Sequence, residues 1–429
     1  MTVHTVPRTS AETALIAQLG ARVSANPAQG EARRAFEKAG LPHRRVEAWH
    51  YTDLRARLRE ALPLAAVPDA AAIARAKERL RAPMFGDRLV VLDGVYQPAL
   101  STLASTHSGL GVAPLVAGDA GLLSPAAQAD AMVALNIAMG QGGLRIDIAP
   151  GAKLDAPIEI VHLHSGRDEA ATHARIDITL GAGAQASFVA WRGVLGSAPV
   201  QINDVLRLTL VDGAQCDFVT SIDERVGHDA LAVLTLDVEL GARARLNDVA
   251  LVKGGETLRR QIFASLKGEH TKLNLGGVAL LRGTQHADTT LVVEHAAAHC
   301  DSREFFRHIV DGEATGVFQG KIVVRPGAQK TDGVMRSNAL LLSEAAAMMN
   351  KPELEIFADD VVCGHGATCG ELDENQLFYL MARGLPRAEA EGLLLQAFAG
   401  EVIEAVGNET LREAMIASIE QWLGARGRT

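Results

Sequence analysis

The segment LAVLTLDVEL, residues 231–240, decides the fold, because apolar and polar residues alternate along most of its length. Successive side chains of a β-strand point to opposite faces, so a period of two predicts a strand with one buried face. The same alternation occurs in RIDITL at 175–180 and in LRLTL at 206–210. It begins near residue 143 and continues for about 200 residues, which predicts that the body of the protein is mainly β.

A glycine followed by alanine ends many of these strands. Such pairs begin at Gly151, Gly183, Gly213 and Gly241, spaced by 32, 30 and 28 residues, and another begins at Gly327. Because glycine tolerates the positive φ of a sharp bend, the pairs are predicted to mark corners. A repeat of this length without a helix-length insertion favours a β-solenoid. A β-sandwich is the alternative, since it also buries one face of each strand.

Helical patterns precede this body. Residues 1–142 are predicted to form an N-terminal helical region, with a first helix from Ser10 and a second over 31–39. The run at 88–92 is followed by an Asp-Gly turn signal, so one short strand is expected within this region.

Helical patterns also follow the β core, which is assigned to residues 143–372. The C-terminal helical domain is assigned to residues 373–429, where Asp373 is expected to cap a first helix and Pro386 to open a second. Asn408 is expected to cap a third helix.

The second of these helices carries more apolar residues than one buried face can use. Leu394, Phe398 and Val402 share a stripe, while Leu393, Leu394 and Leu395 are consecutive and cannot all face one surface at 100° per residue. Docking onto the β body explains most of these positions. The remaining face is predicted to bind a partner, with Leu393, Leu394, Phe398 and Val402 as the candidate residues.

Composition excludes several classes of protein. Acidic residues outnumber basic ones, 51 to 42, and the net charge of −9 argues against a nucleic-acid partner. No run approaches the roughly 18 apolar residues of a membrane span, and the chain begins without an apolar leader. The four cysteines are too few to stabilise so long a chain through disulfide bonds, which indicates thiols in a reducing compartment. A cytoplasmic protein is therefore expected.

The segment CGHGATC, residues 363–369, is the densest group of possible metal ligands. In a strand, Cys363, His365 and Cys369 would project from one face, and thiolate with imidazole suits a soft metal. Three converging ligands would leave a tetrahedral position open for a partner or solvent. The spacing matches no standard zinc pattern, and a cysteine on a strand is commonly a small buried hydrophobe.

A second group contains His286, His295, His299, Cys300 and His308. His295 and His299 would lie two pleats apart in a strand, too far to chelate one ion easily. These residues are interpreted as turn residues or exposed side chains. No Walker phosphate loop, dinucleotide fingerprint or serine-hydrolase elbow occurs, so any ATP would be bound by another subunit.

Five segments together resemble the SufD family, non-ATPase subunits of the SUF scaffold for iron–sulfur cluster assembly. They are LPHRRVEAWHYTDL at 41–54, EHAAAHCDSR at 294–303, RPGAQKTD at 325–332, ADDVVCGHGAT at 358–368 and DENQLFYLMARGL at 373–385. The likeness spans nearly the whole chain. The paralogous SufB subunits usually carry Glu after the histidine of the Cys-x-His motif, whereas this chain has Gly366.

The resemblance implies a right-handed parallel β-helix flanked by N-terminal and C-terminal helical regions. It also implies pairing with a SufB-type subunit through the β-helix and pairing with a SufC-type ABC ATPase through the C-terminal helices. For the chain alone, the sequence leaves both a homodimer and a monomer open. No cofactor is expected to bind tightly to the isolated subunit. A transient iron or iron–sulfur cluster would be shared with SufB.

The resemblance also assigns candidate ligands. His365 corresponds to the histidine that faces a SufB cysteine where the nascent cluster forms, and Cys363 is the second candidate. This chain departs from the family's common Cys-Ser-His by having Gly364, and Cys369 lies where an aliphatic residue is usual, so Cys369 is interpreted as an inert replacement.

Two other functions are weighed against a non-catalytic scaffold subunit. A β-helix enzyme acting on polysaccharides would need grouped acids and aromatic platforms, but the chain has only three Trp and three Tyr. A nucleophilic enzyme built on Cys363 and His365 would need a third group to orient the base, and none is evident. The sequence therefore predicts a protein that is not an enzyme.

Overall fold

The computed structural model describes residues 7–24, 26–103, 107–116, 123–222 and 231–425. The protein is mainly β, with 41% strand and 25% helix. A parallel β-solenoid of about 7 turns lies between helices at both ends of the chain. The predicted β-helix flanked by helices is therefore confirmed, and the β-sandwich alternative is excluded.

Nine α-helices lie within the described residues. They are α1 (Ser10–Gly20), α2 (Pro27–Ala39), α3 (Leu54–Arg57), α4 (Ala70–Arg79), α5 (Pro125–Gln128), α6 (Ala131–Met139), α7 (Glu374–Ala382), α8 (Arg387–Ile403) and α9 (Glu409–Ala425). The predicted start at Ser10 is confirmed, whereas α2 begins four residues before residue 31 because Asn26 caps it and Pro27 occupies its first turn. Asp373 and Asn408 accept the expected capping hydrogen bonds.

The strands fall into a short N-terminal group and a long regular series. They are β1 (Arg88–Leu92), β2 (Val95–Tyr96), β3 (Leu110–Val116), β4 (Gly142–Ile148), β5 (Ile158–His164), β6 (Ala170–Thr172), β7 (Arg175–Leu180), β8 (Gln185–Val194), β9 (Val200–Leu210), β10 (Gln215–Ile222), β11 (Leu231–Leu240), β12 (Arg245–Val252), β13 (Thr257–Leu266), β14 (Lys272–Leu281), β15 (His286–His295), β16 (Asp301–Val310), β17 (Thr315–Val324), β18 (Asp332–Leu341), β19 (Ala347–Ile356) and β20 (Val362–Gly370). The predicted strand at 88–92 is confirmed as β1.

Two sheets face each other, and the chain alternates between them turn by turn. Sheet A has the order β19-β17-β15-β13-β11-β9-β7-β4-β3, and sheet B has the order β2-β1-β5-β8-β10-β12-β14-β16-β18-β20. The long strands of the regular series pair in parallel without register shifts over eight to ten residues. Side chains of equivalent positions therefore stack in columns inside the solenoid, such as Phe188 on Phe218 with ring centroids 5.9 Å apart.

Glycine corners appear where the sequence predicts them in three turns. Gly151, Gly183 and Gly213 have φ of 71°, 68° and 71°. Each backbone N–H donates to a carbonyl of the next turn, for example from Gly213 to the Ala242 oxygen at 2.7 Å. The positive φ that favours glycine is therefore required at these corners.

The prediction of positive φ is wrong at Gly241 and Gly327. At those corners Arg243 and Lys330 take the left-handed conformation, with φ of 56° and 62°. Gly241 is needed for close approach instead, because a Cβ there would lie 2.5 Å from the Asp212 Oδ1 atom.

Buried polar contacts fix the N-terminal region on the outer face of sheet A. The Arg259 guanidinium lies 3.9 Å from the centroid of the Trp49 ring, and Arg259 pairs with Asp288 at 2.5 Å. The Trp49 indole N–H donates to Asp130 at 3.0 Å. Arg259 also donates to the Ala48 carbonyl at 2.8 Å. The Arg259 and Asp288 charges are paired with each other and the Asp130 carboxylate accepts hydrogen bonds, which removes most of the penalty of burying these groups.

A histidine completes this contact. Arg57 donates to His286 Nδ1 at 2.8 Å, so the Nε2 proton of the neutral ring donates to Thr52 Oγ1 at 3.0 Å. The Thr52 hydroxyl then donates to Asp288. We call Trp49, Thr52, Arg259, His286 and Asp288 the N-terminal clasp.

Apolar packing fixes the C-terminal helices on the outer face of sheet B. Leu395, Ala399 and Val402 of α8 are buried against a valine- and leucine-rich surface of that sheet. Gly276 of β14 makes room for the helix, because a Cβ there would lie 3.0 Å from Val402 Cγ1. We call Leu395, Ala399, Val402 and Gly276 the C-terminal dock.

Candidate functional site

The solenoid ends in two edge strands. Strand β19 is the last strand of sheet A and β20 is the last strand of sheet B, and each pairs on one side only. Exposed apolar side chains lie beside these edges, including Ile356 and Phe357. We call the edges of β19 and β20 the open end. Long unpaired edges are templates for pairing with another chain.

Cys363 and His365 lie two residues apart on β20, as the sequence predicts, so they point to the same side of the strand. The register places Cys363 beside Gly333 and His365 beside Met335 of β18. Gly333 and Met335 face the solenoid interior and are buried. The two candidate ligands therefore continue interior columns, but they lie in the last turn, where no further turn covers them.

Cys363 is half-buried and packs against the interior apolar cluster. Burial raises the pKa of its thiol, and the nearby Asp332 and Glu304 carboxyls raise it further, while a backbone contact to Gly333 lowers it. A metal that bound this sulfur would have to displace a proton held more firmly than that of an ordinary cysteine.

His365 is exposed and has no hydrogen bond or ion pair with another described residue. Across the described ranges there is no group of three or more His, Cys, Asp or Glu side chains able to hold one metal ion. The expected convergence of Cys363, His365 and Cys369 is therefore not found. A chelating set at the open end would need donors from another chain.

Cys369 lies six residues beyond Cys363, which is about 20 Å along an extended strand. It lines a separate cavity of about 510 Å³, together with Glu344, Glu371 and Arg387. Burial raises the pKa of its thiol. Cys369 lies four residues from His365, about 13 Å along the strand. Its interpretation as an inert replacement stays a prediction.

The four predicted partner-binding residues of α8 have different environments. Leu393 is 45% exposed and Leu394 is half-buried. Phe398 stacks under the Arg307 guanidinium at 4.6 Å. Val402 is 1% exposed and belongs to the C-terminal dock, so within this chain its surface is already covered by the solenoid.

A stronger apolar surface lies on α7, for which the sequence analysis predicts the capping residue Asp373 but no partner-binding residues. Phe378, Tyr379 and Met381 are 74%, 57% and 41% exposed, and only Leu377 of this helix is buried. The signal was present in the sequence, because Leu377, Phe378 and Tyr379 are consecutive and cannot share one buried face. We call Phe378, Tyr379, Met381 and Leu393 the apolar helix surface.

The interpretation of the second histidine group is wrong for three of its members. His286, His295 and His308 are buried, and burial lowers the pKa of each to about 4. Only His299 is an exposed corner residue, stacked on His270 with ring centroids 4.8 Å apart. The alternation correctly predicts strands here, but it does not show which face of each strand points into the solenoid.

Glu304 is a buried acid that sequence reasoning did not single out. It is 1% exposed, and burial raises the pKa of its carboxyl to about 8, so it is mostly protonated at neutral pH. It shares an interior column with Met335 and His365, two strands from the latter. No sequence pattern separates such an interior acid from a surface one.

Comparison with known proteins places the chain in a family. Residues 162–398 match the family model described as SUF system FeS cluster assembly, SufBD core domain. Iron-sulfur cluster assembly protein SufD of Escherichia coli (strain K12) is 32% identical over 406 residues, which covers 91% of each chain. A SufBD family protein of Synechocystis sp. is 27% identical over 383 residues, covering 85% of this chain and 84% of that protein. SufD of Bacillus subtilis (strain 168) is 23% identical over 291 residues, covering 68% and 66%.

The family match, together with the parallel β-solenoid with helices at both ends, places the chain in the class of iron–sulfur cluster assembly proteins. The chain belongs to the SufBD family of the SUF system and acts in iron–sulfur cluster assembly as a component of a SUF complex. The family assignment favours this role over polysaccharide chemistry. None of the helices in the described part of the chain has the length and apolar character that crossing a bilayer requires.

Proposed function

We propose that this chain is a non-catalytic scaffold subunit that pairs with a SufB-type subunit through the open end and with a SufC-type ATPase through the apolar helix surface. Its contribution is to assist iron acquisition and nascent cluster formation at the junction with SufB. His365 is the first metal ligand in this proposal and Cys363 is the second.

The observation that carries the proposal is the exposed imidazole of His365 on β20, the edge strand in the last turn of the β-solenoid. Strand addition at a sheet edge uses main-chain hydrogen bonds for affinity and neighbouring side chains for specificity. A SufB-type solenoid that paired along β19 and β20 would cover the exposed Ile356 and Phe357 and would bring its own donors beside His365.

The donor set fits a transient cargo. His365 and Cys363 supply one imidazole and one thiol, two donors short of a tetrahedral site, so the partner completes the coordination. A site with fewer thiolates than the four that usually hold a cluster would release it more readily. Iron or a nascent cluster is thus shared across the junction, and the isolated subunit binds no cofactor tightly.

The apolar helix surface supports the second contact. Three large apolar side chains of α7 and Leu393 of α8 are exposed, while the C-terminal dock holds α8 on sheet B. Exposed apolar groups of this kind mark protein interaction sites. This surface lies on α7 and α8, whereas the open end lies on β19 and β20, so each partner has its own contact elements.

The ligand claim is tested by replacing His365 with Asn in a complex assembled with SufB- and SufC-type subunits. We expect the complex mass to be unchanged and the bound iron and cluster yield to fall by about tenfold, since one donor is lost. His299→Asn is the matched control, because His299 is also exposed and lies at the corner before β16, two strands of sheet B from β20. Full cluster yield with His365→Asn would remove the ligand claim.

The pairing claim is tested by introducing a charge at the open end. Ile356→Lys should prevent the SufB-type subunit from joining, because an edge lysine opposes strand pairing. Val116→Lys is the control, since Val116 is exposed on β3 at the opposite edge of sheet A. Equal complex mass with both variants would argue against pairing through β19 and β20.

A further inference from the structure

A cavity of about 290 Å³ lies between α4 and two loops near the first turns of the solenoid. Three arginines line it, Arg75 and Arg79 from α4 and Arg167 from the loop after β5. Glu78 is the one acidic residue among its lining residues. The cavity therefore carries net positive charge in a chain whose net charge is −9.

The walls of this cavity are fixed by packing. Helix α4 is anchored through Ala76, which is fully buried against sheet B. The two loops interlock, since the Ala198 N–H donates to the Gly166 oxygen at 3.0 Å and a Cβ on Gly196 would lie 2.1 Å from that oxygen. Gly166 has φ of 55°, a conformation suited to glycine. The cavity is thus preformed.

The arginines have no sufficient counter-charge in the described residues. Arg75 and Arg79 are one helical turn apart, where like charges repel, and neither forms an ion pair with another described residue. Arg167 lies 3.7 Å from Asp168, but both side chains are largely exposed, so that pair is weak. The helix dipole favours a cation at Arg79 in the last turn, but it does not account for Arg75 or Arg167.

We propose that this cavity binds the phosphate or diphosphate group of a small molecule. Guanidinium groups match the geometry of phosphate oxygens and can donate two parallel hydrogen bonds to them. The volume is near the lower end of small-ligand sites, about 300 Å³, which suits a diphosphate and excludes a folded polypeptide segment. The site is separate from the open end and from the apolar helix surface.

The test measures binding to the full chain by isothermal titration calorimetry, with pyrophosphate, inorganic phosphate and ADP as separate probes. We expect saturable binding of pyrophosphate at one site per chain. Arg75→Gln and Arg167→Gln should each weaken it by about tenfold or more, because each removes charge-assisted hydrogen bonds. Lys77→Gln is the matched control, since Lys77 is an exposed cation of the same helix that does not line the cavity.

The probes also identify the source of the phosphate. Tighter binding of ADP than of pyrophosphate assigns the site to a nucleotide, and equal binding assigns it to a free oxyanion; both support the proposal. Absence of saturable binding for all three probes overturns it. An equal loss with Lys77→Gln and Arg75→Gln would also overturn it, because general charge attraction would then explain the binding. Circular dichroism of each variant verifies that the fold is retained.

Discussion

The segment around Trp49 attaches to sheet A and α8 attaches to sheet B with different shares of polar contacts. The N-terminal clasp uses a buried ion pair, a neutral histidine and an aromatic ring, whereas the C-terminal dock uses apolar side chains and a glycine. Buried polar groups need hydrogen-bonding or charged partners in fixed positions, while apolar packing tolerates small shifts. The clasp therefore adds a fixed polar arrangement to the apolar packing of α1, α2 and α6, whereas the C-terminal dock depends on apolar packing.

The largest expected effect comes from opening the clasp. Arg259→Ala leaves Asp288 buried without its partner, and breaking a buried pair in this way costs about 3–5 kcal/mol. Urea unfolding followed by circular dichroism measures the loss. Arg303→Ala is the control, because its pair with Asp332 is exposed and should contribute less than about 1 kcal/mol. Equal losses would contradict the role assigned to the clasp.

A smaller loss is expected when the C-terminal dock is weakened. Leu395→Ala removes a buried side chain at a helix contact that can partly close around the space, so the cost should be about 2 kcal/mol, at the low end for this substitution. Limited proteolysis should then cut within α7 to α9 before the solenoid. Leu393→Ala is the control, since Leu393 is 45% exposed and should leave stability nearly unchanged.

Lowering the pH should weaken the N-terminal clasp more than the C-terminal dock. Burial and the Arg57 charge lower the pKa of His286 to about 4, whereas an unfolded histidine titrates near 6.5. The unfolded state therefore binds more protons between these values, and the clasp loses stability as the pH falls. The loss from this group should be about 1 kcal/mol between pH 6.5 and 5.5. Hydrogen exchange of α1 and α2 should rise more over this range than exchange of α8; equal increases would contradict the assignment.

Glu304 provides a signal of opposite sign that reports on the solenoid itself. Its folded pKa of about 8 lies above the ordinary glutamate pKa of 4.5, so its stabilising contribution is complete at low pH and is lost as the pH rises toward 8. The wild type should lose about 1 kcal/mol from this group between pH 7 and 8. Glu304→Gln should remove that slope in urea titrations. An unchanged slope would show that Glu304 is ionised in the folded protein.

Much of the architecture follows from local patterns. The alternation from about residue 143 onward, the glycine spacing and the capping residues Asp373 and Asn408 predict the strands, three of the corners and the helix starts. These features depend on neighbours within a few residues, which is why sequence is sufficient. The same locality explains the failure at Gly241, where contact with Asp212 of the preceding turn decides the conformation.

The sequence identified the candidate ligands of the site, but it did not predict their burial or their position in the solenoid. The motif at 363–369 identified Cys363 and His365, and strand alternation placed both on one side of β20. Their location in the last turn, the half-burial of Cys363 and the distance of Cys369 depend on how many turns the chain completes before α7 begins. No local sequence pattern predicts the number of turns.

By itself, the sequence determined the strand period, the helical ends, the family likeness and the two candidate ligands, because each depends on residues close together in the chain or on recognisable motifs. The tertiary structure alone decided which histidines are buried, how each helical region attaches and where three arginines converge. Those features join residues separated by tens to hundreds of positions, as in the contact between Thr52 and Asp288. Their energies depend on burial, which exists only once the chain has folded.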